Sequence, residues 1–594
     1  MTDRLSVALT RPDPAPDRGP LDDRLYDLVE ERFRALLVEQ PALATWVGIH
    51  DYDDRLGDGS REVVLGRLDA DRRHLSAVEA LDPAALSEAA RLEREIELHN
   101  VRRSIFDLDV VRTWERRSTA IQEAGDALFL TFARDFAPLP DRLRSLSGRI
   151  GEIPTHLAQH RTRAVVPQVR LWQQLEIEAA RELPSFLDVI VATGRTALPE
   201  ADAGRLARAA DAARAAIAEH DEWLRATLAG GTDEWALGRD RYAELVRLRA
   251  FDGLDADAIL ALGEEALARE EELRRAVARE IDPDASVAEV LDRVKSDHRA
   301  TFAEALEGYR SAMLRARRHL IERGIVTVPE DERLEVLETP GYLRHVIPFA
   351  AYFPPPKFDA SPSGLYVVTP SVDGDPRAMR EHNWSSISNT SIHEAYPGHH
   401  LQLSIAARHP SLTRLLTDAP EFVEGWGMYS EQLMREHGFD DAPPFRLIMH
   451  TDAIWRACRI VLDVRMHRGE VDVAEATRFL VERTGFEEPN ARAEVHRYTY
   501  TPTYQLSYLL GKMLILALRS DEQRRLGEAF DLRHFHDRLL ANGSLPISFH
   551  RRILAAEAPA GVGSPAARPG ERTDGEGRAE GGAVDRTRVG PGSG

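Results

Sequence analysis

The chain has 594 residues, with 98 acidic against 77 basic side chains and a formal net charge of −21 at pH 7. A surface of this sign repels nucleic-acid phosphates and anionic lipids, so we expect no nucleic-acid partner and no membrane partner. The single cysteine, Cys458, excludes an intrachain disulfide and a cysteine-based zinc site, so any metal must be bound by histidine and carboxylate.

Residues 1–20 are rich in proline and aspartate and are predicted to be disordered. They contain no continuous apolar stretch of the kind found in signal peptides, and no run of about 18 apolar residues occurs elsewhere. We therefore expect a cytoplasmic protein. At the other end, residues 557–594 are mostly glycine, proline, alanine, arginine and glutamate, which predicts a disordered tail.

From Leu21 onward apolar residues recur at spacings of three and four, the pattern of amphipathic helices. The fold class is therefore predicted to be mainly α, a large multi-helical body of two lobes with a central cleft. The glycines within 228–238 mark the border between an N-terminal helical lobe, 21–230, and a catalytic lobe, 231–556. The clearest of the predicted helices cover 84–107, 168–182, 203–228, 255–281 and 296–322.

Two β-like runs, 333–340 and 364–370, flank a proline-rich loop and predict a small β-hairpin or strand pair near the active site. Shortly afterwards the chain reads "SIHEAYPGHH", in which His393 and Glu394 begin like a zinc-peptidase helix. A second ligand four positions later would face the same way, but that position is Pro397. Because proline lacks the backbone N–H, we expect the helix to kink or end there.

The second ligand is then one of two adjacent histidines. His400 is in phase with His393 on an undistorted helix, whereas His399 comes into phase only if the turn tightens to about three residues. The spacing alone favours neither.

A third ligand is available from a helix predicted over 421–438, on which Glu424 and Glu431 are seven apart and share a face. Catalytic zinc sites have three protein ligands and one open position, so a carboxylate from this helix, Glu421, Glu424 or Glu431, would complete a His-His-Glu site for one Zn²⁺. We take Glu424 as this third ligand. Glu394 would remain free as the general base for the attacking water. The alternative is a chance His-Glu pair in an acidic helical protein.

The stretches "HEAYPGHHLQ" (393–402) and "EGWGMYSEQL" (424–433) resemble the bacterial domain of unknown function 885 family, whose members carry HExxPGHH and then an EGW segment. The similarity extends to residues 40–60, 456–467 and 494–512 and spans roughly 20–555. The resemblance implies a zinc-dependent metallopeptidase. It favours His399 as the second ligand, with His400 as the alternative, because the family keeps the histidine directly after Pro-Gly.

The chain also departs from the family pattern. It has Pro502-Thr503-Tyr504 where the family often has Pro-Gly-Gln, and an aromatic residue that usually follows the helical histidine is missing after His467. These departures concern the substrate pocket and leave the implied metal ligands untouched.

Further candidate residues lie near the C-terminus. Arg459, Asp463 and His467 stand at four-residue steps on one helical face, so that Asp463 could bond both neighbours and orient His467 toward an oxyanion or a substrate group. An ion-pair ladder is the alternative. Tyr508, and after it Tyr504, could donate a hydrogen bond to the oxyanion, although most tyrosines at this spacing are packed aromatics.

Arg497 could hold a peptide carboxylate in a bidentate clamp, and Tyr498 belongs to the same cluster. The resulting hypothesis is a cytoplasmic zinc hydrolase of short peptides, an oligopeptidase or carboxypeptidase, with manganese or cobalt as other possible metals. Two alternatives stay open: a metal-dependent hydrolase of a non-peptide amide, and a non-catalytic helical binding protein. The sequence predicts no oligomeric state.

Overall fold

The computed structural model describes residues 5–14, 16–339, 344, 347, 349–370 and 378–556. These residues form a mainly helical fold with one small sheet, which confirms the predicted fold class. The predicted tail, 557–594, lies outside the described residues. In the predicted disordered N-terminus, the described residues form no helix or strand, but Ser6 and Arg11 hydrogen-bond to acidic side chains.

The N-terminal part of the chain is a succession of helices with short connections. Apolar residues of the last four of these helices share one buried cluster, which includes Leu128, Leu143, Leu187 and Ile217. The helix predicted to end at residue 182 continues to Ala197, with a proline inside it. The helices are α1 (Asp22–Glu39), α2 (Pro41–Val47), α3 (Arg61–Glu79), α4 (Glu88–Phe106), α5 (Thr113–Arg116), α6 (Ala120–Ala133), α7 (Leu139–Arg161), α8 (Arg170–Ala197) and α9 (Glu200–Thr227).

The loop after α2 is tied to a distant segment through His50. Its Nδ1 lies 2.9 Å from Asp53 Oδ2 and its Nε2 lies 2.8 Å from Asp359 Oδ1, and its ring stacks on Phe136. Burial disfavours the charged imidazole, but hydrogen bonds to Asp359 and Asp53 outweigh it and raise the pKa of His50 to about 9.

Four helices follow the predicted border: α10 (Arg239–Arg249), α11 (Ala256–Ile281), α12 (Val287–Ser296) and α13 (Phe302–Arg323). The helix predicted from residue 296 begins later, at Phe302, because Thr301 and Glu304 form a capping box. The division into two lobes stays a prediction.

The sheet has three strands, β1 (Leu334–Glu338), β2 (Ala350–Phe353) and β3 (Gly364–Val368), in the order β1-β3-β2. The two strands predicted from the sequence do pair, but in parallel, so they form no hairpin. A parallel pair needs a crossover connection, and that connection contains β2, which runs antiparallel to β3 and was not predicted.

The remaining helices carry most of the candidate residues: α14 (Trp384–Glu394), α15 (His399–Ala406), α16 (Leu412–Leu415), α17 (Pro420–Glu436), α18 (Pro443–His467), α19 (Val473–Thr484), α20 (Glu488–Tyr498), α21 (Leu509–Leu526), α22 (Leu532–Ala541) and α23 (Ile547–Ala556). Proline is the first residue of α17 and α18, where its missing N–H costs nothing. No helix in the described part of the chain has the length and apolar character needed to cross a membrane.

Candidate metal centre

The helix break predicted at the proline is present. α14 starts at an Asn383 cap and ends at Glu394, and α15 starts at His399. Between them, a Cβ on Gly398 would lie 1.8 Å from the carbonyl oxygen of His393, so only glycine fits. The carbonyl of Pro397 accepts a 2.7 Å hydrogen bond from Trp426 Nε1, which fastens the break to α17.

The break brings His399, rather than His400, to His393 and Glu424. The Nε2 atoms of His393 and His399 lie 3.7 and 3.4 Å from Glu424 Oε2, and the three potential ligand atoms are all within 4.8 Å of one another. His400 faces the other way, with its Nε2 2.6 Å from Glu332 Oε2. The interruption after Glu394 resets the helical phase, which is why the in-phase histidine is not the one that faces the cluster.

Electrostatics in the cluster suit a cation. His393 Nδ1 lies 2.8 Å from Glu431 Oε1, which leaves its Nε2 facing Glu424. Burial disfavours charge on His393, but hydrogen bonds to Glu424 and Glu431 outweigh it and raise its pKa to about 10. Burial also opposes ionisation of Glu424, whose pKa His393 and His399 nevertheless hold well below its usual range. The same atoms could hold a divalent ion in place of these protons.

The donor chemistry also fits zinc, since two imidazoles and one carboxylate are a common catalytic set and a carboxylate behind a ligating histidine fixes its orientation. Here Glu431 is that carboxylate, and its second oxygen accepts a 3.0 Å hydrogen bond from Asn389. The sequence offered a signal for Glu431, the seven-residue spacing from Glu424. It offered none for Asn389.

Both glycines of the "EGWG" segment make close contacts that a side chain would disturb. A Cβ on Gly425 would lie 2.5 Å from the backbone of Gly511, so its absence lets α17 and α21 approach closely. A Cβ on Gly427 would lie 2.7–2.9 Å from three atoms of the His393 ring. The segment thus supplies Glu424, a close helix contact, and the space that His393 occupies.

Glu394 and two tyrosines border the three potential ligands. The Glu394 side chain is partly exposed, and among the described residues no group forms a hydrogen bond or ion pair with its carboxylate. Tyr504 donates a 2.8 Å hydrogen bond to Glu424 Oε1, and its ring packs edge-on against Tyr508. Burial and the Glu424 charge raise the pKa of Tyr508, so its hydroxyl stays protonated.

The four-residue spacing of Arg459, Asp463 and His467 does not produce close hydrogen bonds along α18. Asp463 Oδ2 accepts hydrogen bonds from the Tyr242 hydroxyl at 2.7 Å and from the Thr503 backbone N–H at 2.9 Å. His467 Nε2 is 4.0 Å from Asp463 and instead lies 3.0 Å from the carbonyl of Tyr498. Packing against α10 and the 498–504 segment therefore supplies closer partners than the neighbours on α18.

His467 is surrounded by aromatic side chains. Its ring is fully buried, stacks on Tyr242 and meets Trp235 edge-on. Burial lowers the pKa of His467 to about 4, so it is neutral, and burial raises that of Asp463 to about 7. Both side chains are fully buried, and the predicted oxyanion role of His467 stays a prediction.

Arg459 and Arg497 converge on Glu494, whose role was not predicted from the sequence. Arg459 and Arg497 lie 2.9 and 3.1 Å from its carboxylate, and the buried Tyr498 hydroxyl donates to it at 2.9 Å. The Arg497 side chain is 30% exposed, but its guanidinium already pairs with Glu494. The group predicted to bind a peptide carboxylate therefore binds a carboxylate of the protein itself. Arg459 also stacks on Tyr508, with 4.5 Å to the ring centre, and so supports that tyrosine.

Solved structures share this fold. One, described as "a putative lipoprotein of unknown function from Shewanella oneidensis", is 21% identical, with a TM-score of 0.73 over 89% of this chain and 99% of that chain. Another, from Colwellia psychrerythraea and also called a putative lipoprotein, is 18% identical, with a TM-score of 0.77 over 90% of this chain and 98% of that chain. Likeness at these identities shows the fold alone.

A comparison with functionally curated proteins gives no match. The family model described as "Bacterial protein of unknown function (DUF885)" matches residues 41–554. The chain therefore belongs to the DUF885 family.

Proposed function

We propose that the chain is a zinc-dependent metallopeptidase that hydrolyses short peptides. The observation that carries the proposal is the convergence of His393, His399 and Glu424 beside Glu394, a carboxylate without a described hydrogen-bond partner. Zinc held by the first three residues would polarise the scissile carbonyl and lower the pKa of the attacking water.

The roles of the protein side chains follow from their surroundings. Glu394 takes a proton from the water as its oxygen attacks the carbonyl carbon, and returns that proton to the amine nitrogen when the C–N bond breaks. The protonated hydroxyl of Tyr508 donates a hydrogen bond to the carbonyl oxygen as it becomes negative. Tyr504 holds Glu424, and Glu431 holds His393, each through one hydrogen bond.

The recessed position of the site supports an extended substrate. His393 and His399 expose only 7% and 8% of their surface. The surface of a folded protein could not approach rings this deeply buried, which favours a small or extended substrate. Short peptides are therefore the proposed substrates.

The test combines metal analysis with an activity screen on the full chain purified under metal-replete conditions. The screen sets short peptides against small non-peptide amides. We expect bound zinc and peptide cleavage, with Glu394→Gln keeping its zinc and losing cleavage, and His393→Ala binding one zinc ion fewer and losing cleavage. Glu482→Gln, an exposed carboxylate on α19, is the matched control and should change neither.

Three outcomes would count against the proposal. Absence of zinc from the metal-replete protein would exclude the metal mechanism and favour a binding protein. Cleavage of amides without cleavage of any peptide would show that the substrates are non-peptide amides. Unchanged zinc in His393→Ala would show that the ligand assignment is wrong.

A further inference from the structure

A second cluster of potential metal ligands lies in the N-terminal helices. His156 and His160 are four apart on α7 and so share a face, and Glu123 approaches them from the first turn of α6. The Nε2 atoms of His160 and His156 lie 3.1 and 3.8 Å from the same oxygen, Glu123 Oε2. One ligand atom from each residue lies within 4.8 Å of the other two, as in the first cluster, which consists of His393, His399 and Glu424.

Two buried atoms of this cluster, His156 Nε2 and His160 Nδ1, have no hydrogen-bond partner among the described residues. His156 is 4% exposed, and its Nδ1 faces the carbonyl of Gly57 at 3.4 Å, so Nδ1 carries the proton and Nε2 presents a lone pair. That Nε2 is buried without a hydrogen-bond partner while it faces Glu123. A buried nitrogen lone pair that accepts no hydrogen bond and faces a carboxylate costs free energy. A cation between the nitrogen and the carboxylate would bind both.

The surrounding backbone is shaped to these imidazoles. A Cβ on Gly59 would lie 2.2 Å from Cδ2 of His160, so the 57–59 loop can cover the rings only with glycine there. Arg163 Nε donates a 2.6 Å hydrogen bond to the Gly59 carbonyl and holds the loop in place. On the opposite side the Glu123 side chain is 45% exposed, which leaves a route from solvent.

A guanidinium also lies next to this cluster. Arg163 lies 3.7 Å from the other oxygen of Glu123, Oε1, and leaves Oε2 to the histidines. Because that guanidinium repels a cation, we expect weaker binding than at His393, His399 and Glu424.

We propose that Glu123, His156 and His160 form a second divalent-metal site, which takes Zn²⁺ and fastens the start of α6 to the end of α7. Two imidazoles and one carboxylate are the donors that zinc accepts, with water in the fourth position. The site does not depend on the proposed peptidase activity, since it shares no residue with the first cluster.

The test counts zinc ions bound by the full chain after chelator treatment, by equilibrium dialysis against Zn²⁺ and metal analysis. A His393→Ala/His399→Ala background removes the first cluster and isolates the second. We expect this background to bind one zinc ion and to lose it when Glu123→Gln is added. Glu182→Gln, an exposed carboxylate on α8, is the matched control and should leave the zinc bound.

A second readout follows stability. Added Zn²⁺ should raise the melting temperature of the background variant, and Glu123→Gln should abolish that rise. Glu123 is exposed, so this substitution tests the site without opening a cavity in the core. Failure of the background variant to bind zinc, or equal zinc binding with and without Glu123→Gln, would overturn the proposal. If only the first cluster's assignment is wrong, the Glu123-dependent ion remains.

Discussion

Gly427 lies against the ring of His393, so Gly427→Ala is a local perturbation of a potential metal ligand. The added Cβ would stand 2.7 Å from Cε1, 2.8 Å from Nε2 and 2.9 Å from Nδ1, whereas ordinary contact begins at 3.4 Å. The ring must therefore move by about 0.7 Å, which is large compared with the precision that a metal site requires.

The shift has a specific cost because His393 is held from behind. Its Nδ1 lies 2.8 Å from Glu431, and retreat from Gly427 disturbs either that hydrogen bond or the approach of Nε2 to Glu424. Loss of such support weakens metal binding by about 10- to 100-fold, or roughly 1.4–2.7 kcal/mol. The fold should survive, since overpacking costs about 1–3 kcal/mol and alanine regains about 1 kcal/mol of helix propensity over glycine.

The measurement is zinc affinity by competition with a chromophoric chelator, together with the melting temperature of the metal-free protein. Gly66→Ala is the matched control, because it places a Cβ in open space within α3. It should leave zinc affinity unchanged and stabilise the protein by about 0.5–1 kcal/mol. Wild-type zinc affinity in Gly427→Ala would refute the view that this glycine makes room for a ligating histidine.

Three further predictions concern single side chains. Glu431→Gln should lower zinc affinity about 10- to 100-fold without unfolding the protein, because it removes the charge behind His393; chelator competition measures this. Tyr508→Phe should lower kcat about 10²- to 10³-fold with zinc content unchanged, as expected for a lost oxyanion donor. His50→Gln should lower the melting temperature at pH 6.5 more than at pH 10, since the raised pKa contributes up to about 3 kcal/mol below pH 6.5 that is lost through pH 9.

Each of these has a contrary result. Unchanged zinc affinity in Glu431→Gln would remove Glu431 from the support of His393. A Tyr508→Phe enzyme with normal kcat would show that Tyr508 is not the oxyanion donor and would leave Tyr504 as the candidate. A melting-temperature difference for His50→Gln that is constant from pH 6.5 to pH 10 would show that its ion pairs do not titrate as described.

Local sterics made part of the candidate site predictable. Pro397 has no N–H and Gly398 has no side chain, so the end of α14 after Glu394 follows from those two residues. Which histidine faces Glu424 does not follow from them, because it depends on how Trp426 fastens the break to α17. Only the family resemblance pointed to His399 in advance.

Side-chain partners were predicted least well where distant segments compete with neighbours. Asp463 stands one turn from His467 yet accepts its hydrogen bonds from Tyr242 and Thr503. Thr503 has a left-handed φ of +67°, which threonine rarely adopts, so its backbone is positioned by the fold and not by local preference.

The sequence by itself determined the helical fold class, the paired strands and the interrupted His-Glu motif, since periodicity and local backbone sterics act within a few residues. The tertiary structure alone decided the parallel sheet, the Glu494 network and the meeting of Glu123 with two histidines on α7. Those arrangements depend on contacts between residues far apart in the chain, where packing and burial choose among partners that local spacing leaves equivalent.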